Sequence, residues 1–371
     1  VFQVKRIVML TMCVLFNSLS FAEPEQTPIF MSGTKGYDTY RIPALAVTNE
    51  GTVLAFCEGR KSGRGDAGNI DMLYRRSTDN GATWSEQVVI WNDSGNTCGN
   101  PSPVVDRDTG TIWLLMTWNL GTDHEKDIIA GKSEDTRRVY VTSSNDDGLS
   151  WATPKEITTD VKKPNWTWYA TGPGAGIQLE KKGPHKGRLV IPCDHIEAGT
   201  KHYYSHIIFS DDHGATWRLG GTTPMHQVNE CQVAERANGE LILNMRNYDR
   251  SQSRRQVANS KDAGMTWIDQ RFDDALVEPI CQASLRRVPH LRKIFLFSNP
   301  ADPKKRVRMT VRMSTNNAKT WKSELVLHSE PTAYSDLAVL SDQTLACLYE
   351  RGEAHPYERI TFALFSLEMV K

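Results

Sequence analysis

An excess of charge of one sign is missing: Lys plus Arg number 44 and Asp plus Glu number 44. That balance excludes bulk attraction to nucleic acid or to an anionic membrane surface, so any recognition of charge must be local. Beyond residue 22 there is no apolar run long enough to cross a bilayer. No long amphipathic helix is legible either, which argues against helical bundles and βαβ folds. The chain has no CxxC pair. Its cysteines, Cys13, Cys57, Cys98, Cys193, Cys231, Cys281 and Cys347, are irregularly spaced and fit neither a zinc site nor a small disulfide scaffold. Several lie in apolar runs such as LAFCEGR and TLACLYE, where a buried inert thiol is expected, and no bridge is assigned.

The first residues combine a short basic start (Lys5, Arg6), an apolar run from Ile7, and small residues at Ser20 and Ala22. This is the pattern of a secretory signal peptide cut before Glu23. We therefore expect residues 1–22 to be a removed signal, 23–371 to be one catalytic domain, and the product to be secreted or periplasmic.

The dominant feature is an internal repeat. STDNGATW (Ser77 to Trp84) returns as SNDDGLSW (144 to 151), SDDHGATW (210 to 217) and SKDAGMTW (260 to 267), with a degenerate copy, STNNAKTW, at 314 to 321. Each copy lies between strand-like runs and reads as a hairpin turn: Asp accepts backbone amides, Gly supplies a positive φ, and Trp packs under the turn. Copies recurring at this interval suit one mark per four-stranded unit of a radial array. The expectation is an all-β, six-bladed β-propeller with both chain ends completing one sheet. The last copy lacks Asp and Gly (Asn316, Ala318), which predicts a weaker turn.

Turns do not catalyse, so the chemistry is sought in charged residues embedded in strand sequence. Arg41 interrupts YRIPAL, and Arg246 closes ELILNMRN. Arg306, Arg308 and Arg312 share one face of KKRVRMTVRMS if the strand is regular. Arginines from separate blades meeting at an axis would clamp a carboxylate, because each guanidinium is a rigid fork of donors. In EGRKSGRGDAGNID, Gly63, Gly65 and Gly68 surround Asp66, whose carboxyl could cover a ligand and donate a proton if closure raises its pKa. Glu230 in NECQVAE is costly to bury without a partner. Tyr334 in PTAYSDL is a nucleophile candidate if such a base lies beside it, and otherwise a core aromatic.

Taken in order, YRIP, EGRxxxxxD, the repeated SxDxGxTW, NECQVAE, NMR, SNP followed by arginines, AYS and LYERG resemble the exo-α-sialidases of bacterial and animal type, from about Tyr37 to the C-terminus. The resemblance implies a six-bladed propeller that releases terminal sialic acid from glycoproteins, gangliosides and oligosaccharides with retention, without metal or other cofactor. It implies Asp66 as acid/base, Tyr334 as nucleophile and Glu230 as its partner. Arg41, Arg246 and Arg306 become the carboxylate clamp, with Arg308 as substitute for Arg306 if the strand is shifted by two. Glu350 in LYERG orients the first arginine, and Arg60 in EGR contacts the sugar. A monomer is expected. The rival readings are a trans-sialidase or intramolecular trans-sialidase, with Trp166, Trp168 and Tyr169 either on the acceptor rim or simply packing a loop, and a propeller that binds sialoglycans without cleaving them.

Overall fold

The computed structural model describes residues 23–370; the expected signal peptide lies outside them. Apart from two short helices (Glu125–Ile129 and Thr158–Val161) and a 3-10 turn, the described elements are strands. The ladders group in fours, each antiparallel and wound outward. The first group is Thr39–Val47, Val53–Arg60, Ile70–Ser77 and Val88–Trp91, and the second is Thr97–Val105, Ile112–Asn119, Arg138–Ser144 and Lys155–Glu156. A single parallel bridge, Ile70 to Thr97, joins these two. The third comprises Trp166–Thr171, Leu189–Glu197, Tyr203–Ser210 and Arg218–Thr222, and the fourth runs from Val228–Glu235 through Leu241–Asn247 and Arg254–Ser260 to Ile268–Val277.

The long strand Ser323–Val339 serves two groups. Its first half, up to Pro331, pairs with Val307–Ser314, and its second half, from Thr332, pairs with Leu345–Arg351. The last group is completed by Arg359–Phe365 and by the N-terminal strand Glu25–Met31, which pairs with it. Closing a sheet with both ends of the chain removes a free edge. Successive groups touch in turn, and Ser323–Val339 returns to touch Thr39–Val47. The groups are therefore the blades of a β-propeller.

The repeated turns explain how the blades are fastened. In the first, Ser77 Oγ donates to Asp79 and accepts from Gly81 N, while Asp79 accepts from Thr83 N (2.9 Å) and Thr83 Oγ1 (2.6 Å). Gly81 has φ 91°, and a Cβ there would lie 2.2 Å from Phe362, so only glycine fits. The tryptophans do more than underlie their own turns. Trp84 packs edge-on against Phe362, Trp151 against Phe56 and Tyr74, and Trp217 against Trp113, each in the preceding blade. In the degenerate copy Asn316 replaces the aspartate and still accepts from Thr320 N and Ser314 Oγ. The expected weakening is thus confined to the lost charge and to Ala318, which sits at φ 56°. The described cysteines are all buried and unpaired.

Candidate functional site

Charged residues reach the axis because the strands are irregular at one level. Register shifts fall between Arg41 and Ala44, Gly99 and Ser102, Trp166 and Tyr169, Val228 and Cys231, Val307 and Met309, and Thr332 and Ser335. Each shift lies at or beside a residue of one pit: Arg41, Asn100, Trp168, Glu230, Arg306 and Tyr334. A bulge leaves a residue unpaired and re-aims its side chain, which is how a polar group leaves the sheet pattern to point at the axis. Ile42 shows the cost, with φ 61° in a β-branched residue. Its N–H is held by Glu350 Oε1 at 2.9 Å.

The pit has a volume of about 300 Å³. Tyr334 lies buried in it, donating its hydroxyl to Glu230 Oε1 at 2.6 Å. Arg246 Nη1 donates both to that phenol oxygen (2.9 Å) and to Glu230 Oε2 (2.5 Å). Arg41 stands 5.1 Å from the Tyr334 ring centroid and Arg306 5.7 Å, so the three guanidiniums converge around the phenol. Arg306 is held by Tyr357 Oη (2.9 Å) and Ile280 O (3.0 Å). Glu350 is fully buried and accepts from Arg41 Nε at 3.0 Å and from Tyr334 N at 3.0 Å, tying the clamp to the phenol's backbone.

Arg308 and Arg312 do not join them. Arg308, 44% exposed, pairs with Glu324, and Arg312 approaches the same carboxylate. The shared face expected for Arg306, Arg308 and Arg312 is thus corrected: the register shift at Val307 and the positive φ of Arg308 rotate Arg306 away from the other two.

Asp66 sits at the rim, 55% exposed, with Arg60 Nη1 at 2.8 Å and Arg41 Nη1 at 3.7 Å. Arg60 also grips the loop through the carbonyls of Arg64 and Gly65, and its other side is bound by Glu58. Burial pushes the Asp66 carboxyl up, but the Arg60 and Arg41 charges outweigh it and hold it below the usual value. The raised pKa expected on closure is therefore not the property of this open pit. Burial and the neighbouring Glu230 push the Tyr334 phenol well up, against the pull of Arg246, Arg306 and Arg41, so it is neutral.

The opposite wall went unmarked in the sequence: Glu125, Arg137, Asp194, Asn229 and Tyr248 line it. Asp194 could have been found, since it is a charge inside the apolar run LVIPCDHIE. Trp168 lines the pit beneath Arg137, 4.2 Å from its guanidinium. Trp166 and Tyr169 are core residues packed near His195 and His206, not rim residues. Among the described residues, one cluster has metal-ligand spacing, Asp106, Asp108 and His213. It lies outside the pit, and Asp106 is already engaged by Thr109, Gln178 and His213. A second cavity, about 370 Å³, opens at the other ends of the inner strands around Leu45, Val104 and Leu285, but it has no comparable convergence of acid, base and nucleophile.

The family model described as a BNR repeat-like domain matches residues 43–347. The chain is 35% identical over 354 residues to a sialidase of Micromonospora viridifaciens, covering 90% of this chain and 53% of that protein. It is 31% identical to Sialidase-3 of Mus musculus, covering 94% of each. Among solved structures, the Hadza microbial sialidase Hz136 superposes with a TM-score of 0.83 at 30% identity, over 93% of this chain and 69% of that one. The chain thus spans about half the length of the Micromonospora relative and nearly all of the mouse one.

Proposed function

Because the chain belongs to the sialidase family with BNR repeats, we propose that it is an exo-α-sialidase, releasing terminal sialic acid from glycoconjugates with a tyrosine nucleophile. The observation that carries this reading is the 2.6 Å bond from Tyr334 to Glu230 beneath three converging guanidiniums. Sialic acid bears its carboxylate on the anomeric carbon. An attacking carboxylate would approach that centre against like charge, whereas a phenol approaches neutral. Glycosidases commonly use two carboxylates, and sialidases with a tyrosine nucleophile depart from that rule.

In the proposed reaction Arg41, Arg246 and Arg306 hold the sugar's carboxylate and set the anomeric carbon over Tyr334. The Tyr334 oxygen forms a bond to that carbon and passes its proton to Glu230, while Arg246, already bonded to both, stabilises the charge that develops. Asp66 protonates the departing glycosidic oxygen. It then takes a proton from the water that displaces the tyrosine, and Glu230 returns its proton to the phenol. Two displacements at one carbon retain configuration. Ionised Asp66 must first gain a proton, and an entering carboxylate favours this by taking over Arg41.

Incubating the protein with α2,3- and α2,6-sialyllactose and following the products by NMR tests the reading. Free sialic acid appearing first as the α-anomer is expected. A β-anomer as first product would refute the double displacement, and a 2,7-anhydro product would move the enzyme to the intramolecular trans-sialidases. We also propose export after cleavage at Ala22 and a monomeric state, to be tested by N-terminal sequencing and light scattering of the secreted protein.

A further inference from the structure

Four strands each send one residue to the pit and another, four positions on, to the second cavity: Arg41 and Leu45, Asn100 and Val104, Glu230 and Ala234, Tyr334 and Ala338. Four residues of strand span about 13 Å, so the cavity is a separate chamber at the far end of the same strands. Its volume is about 370 Å³, against about 300 Å³ for the pit. Its lining differs in kind, being built on aliphatic side chains such as Leu45, Val104, Leu285 and Ala338, with Arg107, Arg286 and Arg287 beside them.

The three guanidiniums are not equally engaged. Arg287 is neutralised by Glu180 (2.5 Å), with Glu235 at 4.0 Å. Arg107 donates only to a neutral side chain, Asn49 Oδ1 at 3.1 Å. Arg286 Nε donates to the Leu337 carbonyl at 3.0 Å and Nη1 reaches the Gly176 carbonyl at 3.5 Å, while Nη2 stands 3.9 Å from Asp336 Oδ1, beyond hydrogen-bond distance. Asp336 is already committed to the strands: Oδ1 accepts from Ser284 Oγ and Leu337 N, and Oδ2 from Leu45 N and Ala175 N. Desolvation and then the like charge of Arg286 pull the Arg107 guanidinium below its ordinary value, against Glu180. Two cations with donors to spare thus stand beside an apolar chamber, the combination of greasy walls and few convergent polar groups that marks small-molecule sites.

We propose that this cavity binds a small organic monoanion, a carboxylate or sulfonate on an apolar body, with the anionic group held by Arg286 and Arg107 and the body against Leu45, Val104, Leu285 and Ala338. The site does not depend on the sialidase reading of the pit. A purely hydrophilic anion would leave the aliphatic walls wet, and a neutral apolar molecule would leave the two charges uncompensated.

Fluorescence titration tests this with anilinonaphthalenesulfonate and with phenylnaphthylamine, the neutral molecule that lacks only the sulfonate. Wild type is expected to bind the sulfonate at a single saturable site. Arg286→Met should weaken that binding by about tenfold or more, and exposed Arg107→Met by about threefold, with the neutral probe changed by less than about twofold in either. Ala338→Phe, which fills the chamber, should weaken both probes, and Arg306→Ala, in the pit, neither. Should Arg286→Met fail to fold, Arg107→Met carries the charge test. No saturable sulfonate binding by wild type, binding weakened by Arg306→Ala but not by the cavity variants, or equal loss of both probes in the arginine variants overturns the proposal.

Discussion

Replacing Glu350 by alanine removes the carboxylate that joins Arg41 to the backbone of Tyr334. Its Oε1 accepts from Arg41 Nε (3.0 Å) and Ile42 N (2.9 Å), and its Oε2 accepts from Tyr334 N (3.0 Å). Arg41 is only 5% exposed, so the change leaves a buried guanidinium short of its main counter-charge. Breaking a buried pair on one side costs about 3–5 kcal/mol. The stranded N–H groups of Ile42 and Tyr334 would each add about 1–3 kcal/mol if nothing replaced Glu350, but water entering from the pit offsets part of that, so about 3 kcal/mol is the expected floor. Urea unfolding followed by tryptophan fluorescence reads this directly: with a slope of about 3 kcal/mol/M, the midpoint falls by about 1 M. Glu350→Gln should lose less. It keeps an oxygen towards Arg41 and Ile42 but turns an amide N–H₂ towards the Tyr334 N–H, donor against donor. Because Arg41 is then poorly aimed, KM on sialyllactose should rise in both variants. An alanine variant with unchanged midpoint and unchanged KM would refute the view that Glu350 anchors the clamp.

Other outcomes follow from the same geometry. Arg306→Ala removes a charge-assisted contact to the substrate carboxylate worth about 1.5–3 kcal/mol, so kcat/KM should fall by about 10- to 100-fold, whereas exposed Arg308→Ala should change it by less than about twofold; equal effects would contradict the assignment. With Arg60 and Arg41 holding the free-enzyme Asp66 below the usual carboxylate value, kcat/KM should decline as pH rises from the acid range towards neutrality. Asp66→Asn should lose most activity on sialyllactose but far less on an aryl sialoside whose leaving group needs no proton, and equal losses would exclude it as the acid. Hydrogen bonds from the Thr83 and Ser150 side chains and backbones lower Asp79 and Asp146 to about 2. Their folded values lie below the unfolded ones, so the stability they contribute is present above the unfolded carboxylate pKa and lost as pH falls through about 2. Melting curves from pH 5 to 2 should show that loss, reduced in Asp79→Asn; a variant as acid-sensitive as wild type would remove the turns from the explanation.

The repeated turns were legible because their geometry is local: Asp79 bonds atoms within four residues, and the same spacing marks each copy. What the tryptophans do was not legible, since Trp84 and Trp151 find their partners in a neighbouring blade. Arg41, Glu230, Arg246, Arg306 and Tyr334 stand out as charges and a phenol set in strand sequence, Arg60 is added by the resemblance, and the fold brings them into one pit. Alternation could not say which way each would point, because the register shifts break it at that level. Arg306 and Arg308, two residues apart, part company for that reason. Pro43 and Pro101 are the visible trace, since proline inside a strand marks a bulge or an edge. The charge state of Asp66 depends on Arg60 and Arg41 being near in space, which composition does not carry.

The central claim is that Tyr334 becomes covalently attached to the sugar. A fluorinated sialosyl fluoride, which forms the intermediate quickly and hydrolyses it slowly, should label the protein with one sialosyl group, found by peptide mass spectrometry on Tyr334 and absent in Tyr334→Phe. A label on Glu230 or Asp66, or full turnover by Tyr334→Phe, would contradict the account.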